Sequence, residues 1–166
     1  ITITGGEALL HPEFFNFVSK IKEKGFKINL ITNLSFSVDI YKKVFDILDK
    51  SLNRFDISIH ISQIGDINLF LDKLSEIIKL KNKCTDTVLL IPIYKINNKK
   101  VEIIDKITNF ADSMNLSYDF QHIHFFEKYA KISSEDKKFI SNKPLKSFAN
   151  CCYAGCRSAV IYENGE

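Results

Sequence analysis

The sequence predicts an α/β fold in which parallel strands alternate with helices. Five short runs with strand character are separated by four segments whose apolar residues recur at helical spacing. This alternation is typical of βαβ units, which place neighbouring strands parallel and join them by right-handed crossovers. An open doubly wound sheet and a barrel would both satisfy the pattern.

The elements are predicted in a regular order along the chain. Strands are expected at residues 1–4, 27–33, 55–61, 87–94 and 116–126. Helices are expected at residues 12–24, after a serine cap at position 35 or 37, after Gly65-Asp66, and along the apolar stripe of residues 101–114. Each helix therefore falls between two strands, as a parallel sheet requires.

The third predicted strand favours a barrel or half-barrel over a dry sheet core. Apolar and polar residues alternate strictly along Phe55-Asp56-Ile57-Ser58-Ile59-His60-Ile61. Because successive side chains of a strand point to opposite faces, the apolar set would pack against helices and the polar set would line the other face. A polar inner face suits a wide, ligand-filled interior.

Composition excludes several classes of protein. The chain has 166 residues, 45% of them hydrophobic and 26% charged, which is ordinary for one globular domain. A net charge of +3, spread over the chain, does not indicate nucleic-acid binding. Neither a membrane span nor a secretion signal is visible in the sequence, so we expect a cytoplasmic protein without membrane partners.

The opening strand ends at Gly5-Gly6-Glu7, a sequence suited to a ligand contact. Paired glycines let main-chain groups approach a ligand closely, and a carboxylate beside them can accept hydrogen bonds from an ammonium group. The segment Thr4-Gly5-Gly6-Glu7 resembles the GGE segment of radical S-adenosylmethionine (radical SAM) enzymes, although Ala8 stands where that family usually has proline. The resemblance implies that Gly5, Gly6 and Glu7 hold the amino group of the cofactor's methionine part. The alternative is a loop that only caps the next helix.

Two interior positions match that family more loosely. Thr32-Asn33 resembles its Thr-Asn-Gly segment with Leu34 for glycine, and Ser58 resembles the serine of its Ser-x-Asp segment with His60 for the acid. The resemblance implies that Asn33 and Ser58 lie near the cofactor's ribose or carboxylate, and that His60 adjoins cofactor or substrate. The alternatives are that Asn33 is only a turn residue, that the Ser58 hydroxyl bonds to other groups of the protein, and that His60 is structural.

Three of the four cysteines, Cys151, Cys152 and Cys156, lie within six positions. Their crowding favours metal or cluster ligation over a disulfide framework. The Cys-x-Ala-Gly run from Cys152, followed by an apolar run and a glycine turn, resembles the start of the SPASM or twitch extension of radical SAM enzymes. The resemblance implies that these cysteines bind an auxiliary iron–sulfur cluster, whereas a zinc site or chance clustering is the alternative.

The resemblance implies a fold and a domain division. Residues 1–140 would be strands two to six of a six-stranded partial TIM barrel with the cofactor at the carboxyl ends of the strands. Residues 141–166 would be a linker and a short Cys-rich β segment. The family's Cys-x3-Cys-x2-Cys loop, which binds the 4Fe-4S radical cluster, is absent from the sequence. We therefore expect a fragment, truncated at both ends, whose radical cluster is ligated upstream of Ile1.

The activity implied is reductive cleavage of S-adenosylmethionine to a 5′-deoxyadenosyl radical, which abstracts hydrogen from a substrate. A peptide is the first expectation for that substrate, with a small molecule as the alternative. A one-electron reductant such as flavodoxin or ferredoxin would be a partner, and the fragment alone would be inactive. The rival interpretation is a non-radical (βα) domain that binds a small anionic ligand and holds a structural zinc at its C-terminal cysteines.

Overall fold

The computed structural model describes residues 1–5, 7–81, 85–93 and 97–122, which form an α/β fold. The strands are Thr2–Ile3 (β1), Ile28–Thr32 (β2), Leu52–Ser58 (β3), Asp86–Ile93 (β4) and Ser117–His122 (β5). The α-helices are Phe14–Glu23 (α1), Val38–Leu48 (α2), Ile67–Leu80 (α3) and Asn98–Ser113 (α4). The predicted alternation of strands and helices is therefore confirmed over this part of the chain.

The described strands form one parallel sheet in the order β1-β2-β3-β4-β5. Each strand pairs with the next one along the chain, so the order does not reverse as it does at the switch point of a doubly wound sheet. Each helix likewise contacts the next, α1 with α2, α2 with α3 and α3 with α4. Sequential right-handed crossovers place such helices in a single layer on one face of the sheet.

The two faces of β3 differ in polarity, as the sequence predicts. Phe55 and Ile57 are fully buried in the core on the helix-covered face. Arg54, Asp56 and Ser58 alternate with them and lie on the other face. Burial raises the pKa of Asp56, while the Arg54 guanidinium, 2.7 Å from the carboxylate, opposes that shift. This face of β3 therefore carries an ion pair as well as a hydroxyl group.

The end of β3 differs from the prediction. The strand begins at Leu52 and ends at Ser58, whereas residues 55–61 were expected to be extended. Ile61–Gln63 instead forms a 3-10 turn, closed by a 2.8 Å hydrogen bond from the Gln63 N–H to the His60 carbonyl. Because this turn redirects the backbone, the prediction that His60 lies within the strand is wrong.

Local residues mark three of the helix boundaries. Gly25 follows α1 at φ +76°, a conformation that favours glycine, and its N–H reaches the Lys22 carbonyl. Ser37 is the N-cap residue of α2, so the predicted boundary is right, but its hydroxyl makes no capping hydrogen bond. The Asp66 carboxylate accepts from two backbone N–H groups at the start of α3.

The last described strand packs into the core. Tyr118 and Phe120 of β5 are paired in register with Leu89 and Ile91 of β4, and all four side chains are buried. Tyr118 and Phe120 therefore form a packing face of β5 over its described length. Other predictions lie outside the described residues, namely Gly6, the strand beyond residue 122, and segment 141–166 with Cys151, Cys152 and Cys156.

No helix in the described ranges combines the length and the apolar character needed to cross a membrane.

Candidate functional site

A depression of about 150 Å³ lies where β1, β2 and β3 end. It is lined by Thr4 and Gly5 after β1, by residues 31–33 at the end of β2, and by Ser58 and His60 at the end of β3. The carboxyl ends of parallel strands meet at one edge of a sheet, which is where ligands bind in α/β proteins. We call this feature the strand-end depression.

The loop after β1 provides main-chain groups at the rim of the depression. Gly5 has φ +109°, a backbone conformation that side chains disfavour, so the glycine is required for the turn. Among the described residues, no backbone hydrogen bond joins Thr4 or Gly5 to a neighbour. Both residues line the strand-end depression.

Glu7 lies beneath the depression, and its side chain is engaged by the protein. The residue is 9% exposed. Its Oε2 accepts hydrogen bonds from Thr32 Oγ1 at 2.7 Å and from the Asn33 N–H at 2.8 Å. Its Oε1 accepts from the Leu9 N–H at 3.3 Å. The carboxylate thus ties the loop after β1 to the end of β2.

A chain of side-chain hydrogen bonds continues from Glu7 into the core. Tyr41 Oη lies 3.0 Å from Thr32 Oγ1. The threonine hydroxyl has one hydrogen, which it gives to the Glu7 carboxylate, so the tyrosine must donate to the threonine. We call this arrangement the Tyr41–Thr32–Glu7 chain. It links α2, β2 and the loop after β1.

The burial of Tyr41 predicts a loss of stability at alkaline pH. Desolvation raises the pKa of Tyr41 to about 12, and the nearby Glu7 charge acts in the same direction. The unfolded chain titrates at its ordinary pKa near 10. The folded state therefore keeps a proton that the unfolded state releases between these values. We expect the free energy of unfolding to fall by about 1.4 kcal/mol per pH unit from roughly pH 10 to 12 through this group.

Urea unfolding of the wild type and of Tyr41→Phe at pH 9, 10, 11 and 12 measures this contribution. Lysines titrate in the same range, so the difference between the two proteins isolates the tyrosine. The stability gap between them should shrink as the pH rises. A gap that stays constant over this range would show that Tyr41 ionises normally.

Three polar side chains line the strand-end depression, and each keeps a hydrogen-bonding group that has no partner among the described residues. Asn33 Oδ1 accepts from the Ser35 N–H at 2.9 Å, which fixes the amide orientation and leaves Nδ2 as a donor for a ligand. The Ser58 hydroxyl and the His60 ring make no hydrogen bond within the described ranges. The depression therefore offers two defined donor groups, one amide and one hydroxyl, and an imidazole.

The structure brings together four of the six residues that the sequence singles out for cofactor binding. Gly5, Asn33, Ser58 and His60 share the strand-end depression. Glu7 is adjacent but turned inward, and Gly6 lies outside the described residues. Sequence reasoning missed Thr32 and Tyr41. The sequence does indicate Thr32, because it precedes Asn33 in the segment that resembles Thr-Asn-Gly. Nothing in the sequence distinguishes Tyr41 from other apolar residues of a helix.

The described residues contain no group of three or more His, Cys, Asp and Glu side chains arranged to hold a metal ion. Cys151, Cys152 and Cys156 lie outside those residues. The prediction of an auxiliary cluster at these cysteines stays a prediction.

Comparisons with known proteins add no relative to this picture. No family model matches the sequence, and neither the curated proteins nor the solved structures include a match. The case for a function therefore depends on the residues of the depression and on their geometry.

Proposed function

We propose that this chain is part of the core of a radical SAM enzyme and that S-adenosylmethionine binds at the strand-end depression. The observation that carries the proposal is the convergence of Gly5, Asn33, Ser58 and His60. They come from three separate segments, and each was singled out by its resemblance to a cofactor-contacting position of that family. Because the carboxyl ends of adjacent parallel strands meet at one edge of the sheet, this convergence is what the proposal requires, and the match of all three segments to cofactor-contacting positions supports the identity of the ligand.

The sheet supports the proposed partial barrel. A barrel segment requires parallel strands in sequential order with helices on one face, and the described strands have this order. The opposite face of β3 carries Arg54, Asp56 and Ser58, which suits an interior that surrounds a polar ligand. We propose that this face is the inner wall of a half-barrel.

The residues present fit one part of the cofactor. Ligand pockets commonly measure about 300–1,000 Å³, whereas the depression measures about 150 Å³ and therefore takes a single moiety. Asn33 Nδ2 and the Ser58 hydroxyl can donate to a carboxylate or to ribose hydroxyls. When bound and reduced, S-adenosylmethionine would supply the radical that abstracts hydrogen from a peptide or small-molecule substrate. The chain's own share is to bind, orient and shield that cofactor.

The proposal requires a radical cluster from elsewhere in the natural protein. A Cys-x3-Cys-x2-Cys loop followed by the GGE strand does not occur among the 166 residues. Within the proposal, Cys151, Cys152 and Cys156 are candidate ligands of a second, auxiliary cluster. A one-electron donor of the flavodoxin or ferredoxin type would reduce the radical cluster.

The test uses the full-length protein, prepared without oxygen and with its iron and sulfide reconstituted. On reduction it should convert S-adenosylmethionine to 5′-deoxyadenosine and methionine. Asn33→Ala and Ser58→Ala should each weaken binding of the cofactor by about 5- to 10-fold, because each removes one hydrogen bond to it. Ser62→Ala is the matched control, since this exposed serine lies outside the depression. A gene without the upstream cysteine loop, or a protein that fails to bind S-adenosylmethionine, would overturn the proposal.

A second candidate function is supported by the orientation of Glu7. Its carboxylate is turned into the protein, so the described side chains around the depression present donors and an imidazole rather than a negative charge. Such a site also suits a small anionic ligand in a (βα) domain without radical chemistry, with structural zinc at the C-terminal cysteines. Zinc in place of iron in protein prepared without oxygen, together with binding of simple carboxylates, would favour this candidate.

A further inference from the structure

We infer that Glu7 is a positioning residue, which holds Asn33 in place through the Tyr41–Thr32–Glu7 chain and does not itself contact the ligand's ammonium group. This inference rests on the proposed binding of S-adenosylmethionine at the strand-end depression. It changes the role that the sequence alone suggests for Glu7, from ligand contact to support of the residue that makes the contact.

The hydrogen bonds of Glu7 already use its carboxylate. Three protein donors, Leu9 N–H, Thr32 Oγ1 and Asn33 N–H, occupy its two oxygens. Only 9% of the residue is exposed, so a ligand ammonium has little access to it. A carboxylate has about four acceptor sites, so these three donors leave room for one more, and it is the burial of Glu7 that limits a ligand's access to it. Turning the carboxylate outward to meet an ammonium group would leave these buried donors without a partner, which is costly.

Hydrogen bonds hold Asn33 both at its backbone N–H and at its side-chain oxygen. Its N–H donates to Glu7 Oε2, and its Oδ1 accepts from the Ser35 N–H. The next residue is held as well, because the Leu34 N–H donates to Thr32 Oγ1 at 3.2 Å. These bonds leave Asn33 Nδ2 at the depression in one defined orientation. A contact group that is already oriented loses less conformational entropy when the ligand binds.

Tyr41, at the far end of the Tyr41–Thr32–Glu7 chain, does not reach the ligand. Tyr41 is fully buried and lies outside the lining of the depression, yet it donates to the threonine on which Glu7 and Leu34 depend. Replacing Tyr41 by phenylalanine keeps the buried ring and removes only the hydroxyl, so its effect on ligand affinity reports the hydrogen bonding of that hydroxyl. That property makes Tyr41 a direct probe of positioning.

The test measures dissociation constants for two ligands by calorimetry on the full-length protein without oxygen. The ligands are S-adenosylmethionine and its analogue in which hydrogen replaces the α-amino group. Glu7→Gln should weaken both by the same factor, about 3- to 10-fold, because the amide keeps an acceptor towards β2 but offers a donor to the Leu9 N–H. If Glu7 instead contacts the ammonium group, the substitution will weaken S-adenosylmethionine alone. A difference of tenfold or more between the two ligands would overturn the inference.

Substitutions in the Tyr41–Thr32–Glu7 chain distinguish a loss of Asn33 positioning from a general loss of stability. Thr32→Val should weaken both ligands by about tenfold, whereas Thr32→Ser keeps the hydroxyl and should restore binding. Tyr41→Phe should weaken both by about threefold. Tyr118→Phe is the matched control, because this buried tyrosine packs on β4 outside the chain of hydrogen bonds, and it should leave both constants unchanged.

Hydrogen exchange of the Asn33 amide in the ligand-free protein gives a readout that needs no ligand. Exchange should be about tenfold faster in Thr32→Val than in Thr32→Ser, because the valine cannot hold the Glu7 carboxylate in place. Equal exchange in the two variants would overturn the positioning role even if the cofactor binds. If the wild-type protein binds neither ligand, the proposed function fails, and the positioning role fails with it.

Discussion

Replacing Phe55 by alanine is expected to lower the free energy of unfolding by about 3–5 kcal/mol, the usual range for truncating a buried phenylalanine. The side chain is fully buried on the helix-covered face of β3. Its ring contacts those of Tyr41 and Phe45 edge to face, with centroids 6.1 Å and 5.1 Å away. Alanine would therefore leave a cavity between β3 and α2, beside the tyrosine that begins the Tyr41–Thr32–Glu7 chain.

Chemical denaturation at neutral pH measures this loss, with Phe17→Ala as the matched control. Phe17 is also a phenylalanine, but it lies on α1 and is 45% exposed. We expect its replacement to change stability by no more than about 0.5 kcal/mol. Similar losses in the two variants would contradict the packing of β3 against α2.

The alternation of strands and helices was predictable because the hydrophobic periods are strong. Phe55, Ile57 and Ile59 are separated by single residues, which the strand period of two explains. The sequential order of the strands was not determined by that pattern, since an open doubly wound sheet satisfies it equally well. Strand order depends on which surfaces pack in three dimensions.

The end of β3 shows where local patterns fail. Ile59 and Ile61 are both buried, so the alternation continues in the sequence past the strand. Ile61 is buried from a 3-10 turn, however, and the pattern of burial does not distinguish the two conformations. Hydrophobic patterns report burial, whereas hydrogen bonding of the backbone decides where a strand ends.

The location of the candidate site was predictable from the sequence, whereas the roles of its residues were only partly predictable. Gly5, Asn33 and Ser58 follow predicted strands, so their meeting at one edge of the sheet follows from parallel topology. The inward turn of Glu7 depends on Thr32, 25 positions away, and on a tyrosine from α2. Side-chain hydrogen bonds between distant segments leave no periodic signal in the sequence.

The second prediction of large effect concerns Leu34, which replaces the glycine of the resembled Thr-Asn-Gly segment. Its φ is +60°, a left-handed conformation that costs a side-chain-bearing residue about 1–2 kcal/mol. The side chain nevertheless packs in the core, with 3% exposed. Truncating a buried leucine costs about 2–5 kcal/mol, which exceeds the backbone strain. We therefore expect Leu34→Gly to destabilise the protein, by about 2 kcal/mol, although glycine suits this backbone better.

Leu34→Ala separates the two contributions. Alanine loses the same packing as glycine but keeps the strain, so the order of stability should be wild type, then glycine, then alanine, with about 1 kcal/mol between the two variants. Thermal or urea unfolding of the three proteins measures this order. An alanine variant as stable as the glycine variant would show that residue 34 does not adopt a positive φ. The loop beside Asn33 would then have a different conformation, and the orientation of Asn33 Nδ2 towards the depression would be lost with it.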